Sequence, residues 1–152
     1  MLEKDKDIVI REASEKDCKS ITNICQNDLG YDCSESLVKS KLSLIDKRRE
    51  CVFVALINDK VTGFVHIEKY DVLYSETLAN VLGLAVRADS RRNGVGRKLM
   101  KEAENWAKKI GAKGIRLNSG IMRTPAHRFY RSLGFDDEKE QIRFMQNFRY
   151  NI

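Results

Sequence analysis

The chain has 152 residues, 42% of them apolar and 33% charged, with a net charge of +6. One domain spanning residues 1–152 is the expectation, because single domains most often run to ~100–150 residues; an apolar share of this size excludes disorder for the bulk of the chain. No apolar run approaches the ~18–20 residues of a membrane span, and the opening Met1 to Asp7 holds no charged-then-apolar leader, so a cytoplasmic protein with no membrane partner is expected.

The cysteines stand at 18, 25, 33 and 51 with no Cys-x-x-Cys pair, and the histidines are His66 and His127. That spacing suits neither a zinc site nor, without an export signal, a disulfide framework. No metal is expected, and the thiols are expected to be reduced and mostly buried as small apolar side chains. The charge is uneven. Twelve Lys and Arg but only two acids, Glu102 and Glu104, fall between Arg91 and Arg131, a local surplus of ten that leaves −4 for the rest. Such a concentration suggests an anionic ligand, although a solvated helix face explains a charge run equally well on its own.

Asp7 to Arg11 alternates around Ile8, Val9 and Ile10 and reads as a first strand. Ser14-x-x-Asp17 is a helix-start signature, and Ile21, Ile24, Cys25 and Leu29 then recur at helical spacing up to Gly30. Ser34 caps a second helix with Leu37, Val38, Leu42 and Ile45 on one face. Cys51 to Ile57 and Val61 to Ile67 form a hairpin around Asn58-Asp59-Lys60. Leu78 to Val86, apolar on both faces apart from Asn80, belongs inside a sheet. Val95, Leu99, Met100, Ala103, Trp106, Ala107 and Ile110 mark an amphipathic helix stopped by Gly111. Gly114 to Ser119 is a short strand. Thr124 as N-cap, with Pro125 at the first helical position, opens a helix carrying Phe129, Tyr130 and Leu133 and closed by Gly134. Phe135 to Tyr150 reads as one or two strands around Ile142, Phe144 and Phe148. The order predicts a mixed α/β or α+β sheet with helices on its faces.

The chemistry concentrates in Arg91-Arg92-Asn93-Gly94-Val95-Gly96, between an apolar strand and the start of a strong helix. The first N–H groups of a helix lack intrahelical partners and sit at its positive end. Glycines let backbone approach a phosphate without a Cβ in the way, so the junction invites phosphate or pyrophosphate. Arg91, Arg92, Arg97 and Lys98 add positive charge. The spacing meets neither the P-loop nor the dinucleotide fingerprint.

These residues resemble the GNAT N-acetyltransferases, which use acetyl-coenzyme A (acetyl-CoA). An apolar strand, Val81 to Arg87, precedes Arg91-x-x-Gly94-x-Gly96, and Ala126-His-Arg-Phe-Tyr130 leading to Gly134-Phe135 matches a second block of that family. The hairpin from Val52 to Val65 looks like its second and third strands. The resemblance implies an α+β fold: a twisted mixed sheet with splayed fourth and fifth strands and helices on both faces. It also implies acetyl-CoA as co-substrate. Leu84 and Val86 would bond the pantetheine through their backbone, and Arg91, Arg92, Asn93, Gly94, Val95, Gly96, Arg97 and Lys98 would surround the pyrophosphate.

The implied activity is transfer of an acetyl group to a primary amine of a small molecule or peptide, by direct attack. Tyr130 would protonate the leaving thiolate; without the family block it reads as a core aromatic. Asn80 and Leu82 stand where relatives carry a glutamate base, which leaves Glu68, Glu76 or water. Arg123 replaces a common asparagine, Ala88 a common proline, and His127 reads as a helix-surface residue. Acids in the segments 27–34 and 71–77 favour a cationic acceptor, while solvated loops explain them too. The alternatives are an acyl-CoA binder without turnover and, further off, a basic nucleic-acid-binding module; no nucleic acid partner is expected, and a homodimer is allowed for.

Overall fold

Ile8 to Glu12 forms strand β1, and a single carboxylate fixes the path of the chain just beyond it. Asp17 accepts the N–H of Ser14 at 2.8 Å and receives both terminal nitrogens of Arg11 at 2.9 Å. The end of β1 is thereby clamped to a 3-10 turn, Glu15–Asp17, and to the helix after it, α1, Cys18–Asn27. Helix α2, Glu35–Ser43, starts where the hydroxyl of Ser34 accepts the N–H of Leu37 at 3.1 Å, the N-cap expected from sequence. Strands β2, Glu50–Ile57, and β3, Lys60–Tyr70, are joined by Asn58 and Asp59, both at positive φ (51° and 64°). Two such residues make the mirror-image turn that suits hairpin twist. Strand β4, Leu78–Val86, a 3-10 turn at Ala88–Ser90, helix α3, Val95–Lys109, and strand β5, Ile115–Leu117, complete this part. Residues 7–136 and 139–148 are described by the structure, a computed structural model. They fall into two units, one ending at Asn118 and one beginning at Ser119.

In the first unit the sheet runs β1-β2-β3-β4-β5, antiparallel except for the parallel pair β4–β5. Its two faces bury different helices. Ile21 and Ile24 of α1 pack with Val52, Val54, Phe64 and Ala85, and Val38 and Leu42 of α2 join them. On the opposite face lies α3, whose Val95 and Leu99 are 1% and 0% exposed. Each contributes about 1.5–3 kcal/mol by leaving water. Gly63 makes that contact close. A Cβ there would stand 2.9 Å from the carbonyl oxygen of Ala85 and 3.2 Å from the side chains of Val95 and Leu99. Any larger residue would lift the start of α3 off the end of β4. The expected α+β architecture with helices on both faces is thus what the chain adopts.

All four cysteines are free, Cys18 and Cys51 buried and Cys25 and Cys33 half-buried. Burial pushes the Cys25 thiol up to about 11 and the Cys51 thiol up to about 12, which keeps both protonated and unreactive near neutral pH.

In the second unit α4 spans Thr124–Ser132. The N-cap is Arg123, with φ −87° and ψ 62°, and not the expected Thr124. Thr124 has already entered helical geometry, so the boundary lies one residue earlier, and the Arg123 side chain makes no capping bond. The expected strands between Phe135 and Tyr150 do not form within the described residues. Residues 139–148 have no regular structure, and Ile142, Phe144 and Phe148 stay exposed. Alternation is only half of a strand; the other half is a partner for its N–H and C=O groups, and no ladder involves these residues. Tyr150, with residues 137, 138, 149, 151 and 152, lies outside the described residues.

Candidate active site

Strand β4 changes sides. The N–H of Ala79 donates to the carbonyl oxygen of Gly114, toward β5, at 2.9 Å. The N–H of Arg87 donates to Thr62, toward β3, at 2.8 Å. Residues 79 and 87 share a parity, so an uninterrupted strand would point both the same way. The switch occurs at Leu82. His66 pairs with Gly83 and Ile67 with Val81, so Leu82 is an extra residue, a bulge. Beyond it Leu84 and Val86 turn their backbone groups toward the β5 side. The parallel ladder has by then ended, at Val81 and Leu117. Strand β4 continues five residues past that point with one edge unpaired among the described residues, which is the splay that the resemblance implied.

The turn after β4 brings a second set of backbone donors. Gly94 is left-handed, with φ 86°, and so is Arg92, with φ 66°. Left-handed geometry is rare for a residue with a Cβ and costs about 1–2 kcal/mol. The first helical bond of α3 runs from the N–H of Lys98 to Gly94 at 3.0 Å, and no side chain caps the helix. The N–H groups of Val95, Gly96 and Arg97 therefore have no intrahelical acceptor. Arg91, though exposed, folds back onto the strand end. Its Nε donates to the Val86 carbonyl oxygen at 3.3 Å, and its guanidinium lies 3.7 Å from the nearly buried carboxylate of Asp28. Asp28 also accepts the N–H of Ala88 at 2.9 Å. Arg92, Arg97 and Lys98 form no ion pair among the described residues.

The candidate bases are in unlike settings. Glu76 is exposed in the loop before β4. Glu68 accepts the side-chain N–H of Asn80 at 2.9 Å, and the Asn80 oxygen accepts from Arg116 on β5 at 2.7 Å. Arg116 lies over the Tyr70 ring, 4.4 Å from its centroid. Beside this chain the ring nitrogen Nε2 of His66 meets Glu50 at 2.7 Å. Of this row Glu68 and Asn80 were singled out from the sequence, but the pairing of His66 with Glu50 was not, although the alternation Val65-His66-Ile67-Glu68 carries its signal. Of the two acceptor-side segments, Tyr31 and Tyr74 stand exposed, and the Thr77 hydroxyl donates to Asp71 at 2.7 Å. Between α1 and the Arg87 side chain lies a cleft of about 260 Å³, lined by Ser20, Asn23, Asn27 and Asp28.

In the second unit Tyr130 sits between Phe129 and Phe135, edge-on to both, with ring centroids 5.4 and 5.9 Å away. Burial pushes its phenol up, with Arg123 acting in the opposite sense. The proton is thus retained at neutral pH. His127 bonds the carbonyl oxygen of Gly120 through Nε2 at 2.9 Å, a local tie of the helix to the loop before it.

An unpaired strand edge that leads to an uncapped, glycine-started helix is a site for an extended ligand ending in phosphate. Residues 13–135 match the model of the acetyltransferase (GNAT) family, and the chain belongs to that family of acyltransferases. It is 32% identical over 137 residues to N-alpha-acetyltransferase 30 of Schizosaccharomyces pombe, covering 87% of this chain and 89% of that one. It is 32% identical over 108 residues to an uncharacterised N-acetyltransferase of Methanocaldococcus jannaschii, where the match takes in 66% of this chain but only 45% of the relative. Among solved structures, an aminoglycoside N-acetyltransferase in complex with CoA superposes with a TM-score of 0.81 over 91% of this chain and 94% of that one. Its identity is 16%, so this likeness concerns the fold alone.

Proposed function

We propose that the chain works as a single domain over residues 1–152 and is an acetyl-CoA-dependent N-acetyltransferase acting on a primary amine. The observation that carries this reading is the reversal of β4 at Leu82, which frees the backbone of Leu84 and Val86 on the side where pairing has ended. An extended pantetheine would take those N–H and C=O groups as a strand does. Its pyrophosphate would then reach the turn from Arg91 to Lys98, where the amides of Val95, Gly96 and Arg97 have no intrahelical acceptor and Arg92, Arg97 and Lys98 supply charge.

The chemistry asks for a neutral amine, a stabilised oxyanion and a protonated leaving group. A backbone N–H of the free edge serves the oxyanion. Tyr130, whose phenol burial keeps protonated, gives its proton to the departing thiolate. One relative is by name an N-alpha-acetyltransferase and one structural neighbour an aminoglycoside N-acetyltransferase, so the acceptor is sought among amines of both kinds. A cytoplasmic site of action fits an intracellular co-substrate, and no helix among the described residues is long and apolar enough to cross a membrane.

The test joins calorimetry to a thiol-release assay. Acetyl-CoA should bind the parent, and Gly94→Glu, which puts a negative side chain into a left-handed turn, should abolish binding. A panel of peptide α-amines, lysine, polyamines and aminoglycosides should then release thiol with at least one acceptor. Equal binding by parent and variant would refute the site. Binding without turnover across the panel would favour the acyl-CoA-binding alternative.

A further inference from the structure

The sheet face that packs on α1 and α2 is apolar at Val52, Val54, Phe64 and Ala85 and becomes polar on the same face at Glu50, His66, Glu68 and Asn80. His66 stands at the border. Its register partners are Val52 on β2 and Gly83 on β4. Gly83 is the residue immediately after the bulge, and a Cβ built on it would meet only the Phe64 ring, at 3.7 Å. The place beside the His66 ring is therefore floored by backbone and filled by no side chain of β4. One residue further on, Leu84 turns its backbone to the open edge.

The ring is also held in one sense. Nε2 lies 2.7 Å from Oε1 of Glu50, with the two side chains 30% and 31% exposed. A carboxylate only accepts, so in the neutral ring the proton sits on Nε2 and the lone pair on Nδ1. Glu50 fixes the tautomer and offsets the charge once Nδ1 is protonated, the part an orienting carboxylate plays toward a catalytic imidazole. Further along this face stand Glu68, Asn80 and Arg116, bonded to one another, and Tyr70, whose ring Arg116 covers, while Arg11 on β1 is held by Asp17.

We propose that His66, oriented by Glu50, is the proton acceptor for the incoming amine. This rests on the acetyltransferase reading above. An alkylamine is chiefly R–NH3+ at neutral pH. One N–H bond breaks, its proton goes to Nδ1, and the freed lone pair attacks the thioester carbon. The C–N bond forms and the C–S bond breaks. The thiolate takes a proton from the Tyr130 phenol, the surplus proton on nitrogen replaces it, and the imidazolium returns its proton to water. The products are the N-acetyl amine, the free thiol of CoA and one proton. A histidine here supplies the base that Asn80 and Leu82 do not.

The experiment uses the full chain with acetyl-CoA and the amine of highest turnover in the panel. His66→Gln, which retains a donor toward Glu50, should lower kcat by ~10²-fold or more with acetyl-CoA affinity unchanged. Glu50→Gln should give a smaller loss of kcat. Added imidazole should restore turnover in His66→Ala and leave the parent unaffected, a response that lost packing does not produce. Unchanged kcat in His66→Gln overturns the proposal and leaves the acetyltransferase reading intact. A loss without imidazole rescue also overturns it. If His66→Ala fails to fold, the Gln variant decides alone. Absence of transfer by the parent with every amine overturns both readings.

Discussion

Nε of Arg91 donates to the carbonyl oxygen of Val86 at 3.3 Å, tying the glycine turn to the end of the unpaired edge of β4. The same guanidinium faces Asp28, which in turn holds the N–H of Ala88. Arg91 is thus a brace between strand, turn and α1, while Arg92, exposed and in no ion pair among the described residues, remains available to a phosphate.

The two arginines should therefore fail differently. Arg91→Ala loses geometry, and a hydrogen bond to the site is worth about 1 kcal/mol, or several-fold in acetyl-CoA affinity. That loss should persist when salt is raised from 50 to 300 mM. Arg92→Ala loses an exposed charge, so its effect should shrink as salt screens it. Calorimetric Kd values at the two salt concentrations separate the cases. A salt-sensitive loss at Arg91 would show that it touches phosphate directly.

Tyr130→Phe keeps the ring and so both edge-on contacts with Phe129 and Phe135. The melting temperature should hardly move. Turnover should fall by ~10²–10⁴ if the phenol is the general acid. Unchanged kcat with a good acceptor would return Tyr130 to the role of a packing aromatic, which its neighbours on α4 support equally well by themselves.

How much of this was legible in the sequence depends on the range over which each feature is determined. Helix starts depend on nearby residues, and Ser34 and the Gly94 turn were readable as such. The hairpin was readable because Asn58 and Asp59 tolerate positive φ. The reversal of β4 was not, because Leu82 becomes an extra residue only through its register with His66 and Ile67 on another strand. The pairing of His66 with Glu50 likewise joins residues sixteen apart through the ladder. The tail misled for the same reason in reverse, since Ile142 and Phe144 alternate correctly but no partner strand is supplied.

The Arg11–Asp17 pair makes a pH prediction. The Arg11 guanidinium, ahead of the Ser14 N–H, holds the Asp17 carboxyl below the usual carboxylate range. A depressed folded-state value means stability that is present above the unfolded value, near 3.9, and lost as pH falls through the folded one. Asp17→Asn should then cost about 2 kcal/mol from pH 5 to 7, measured by urea unfolding. The gap between parent and variant should narrow only below about pH 4. A gap that closes between pH 5 and 7 would mean that another group carries the effect.

Asn80 bridges three strands below the splay. Its amide nitrogen donates to Glu68 on β3, and its oxygen accepts from Arg116 on β5, which also covers the Tyr70 ring. Glu68 only accepts and Arg116 only donates, so a single orientation of the amide satisfies both. Asn80→Leu matches the size but leaves a half-buried carboxylate and guanidinium without their common partner, at a cost of about 1–3 kcal/mol. The parallel pairing is only three residues long on each strand, Ala79–Val81 with Ile115–Leu117, extended by the N–H of Ala79 to Gly114 and of Lys113 to Thr77. Hydrogen exchange should therefore quicken at Ile115 to Leu117 well before it changes in β2 or β3, and the splay should lengthen toward Ala79. Asn80→Asp, which keeps an acceptor for Arg116 but sets a second carboxylate against Glu68, should speed exchange at β5 less than the leucine does while still loosening β3–β4. Unaltered exchange at β5 in Asn80→Leu would show that backbone pairing alone sustains the closed end of the sheet.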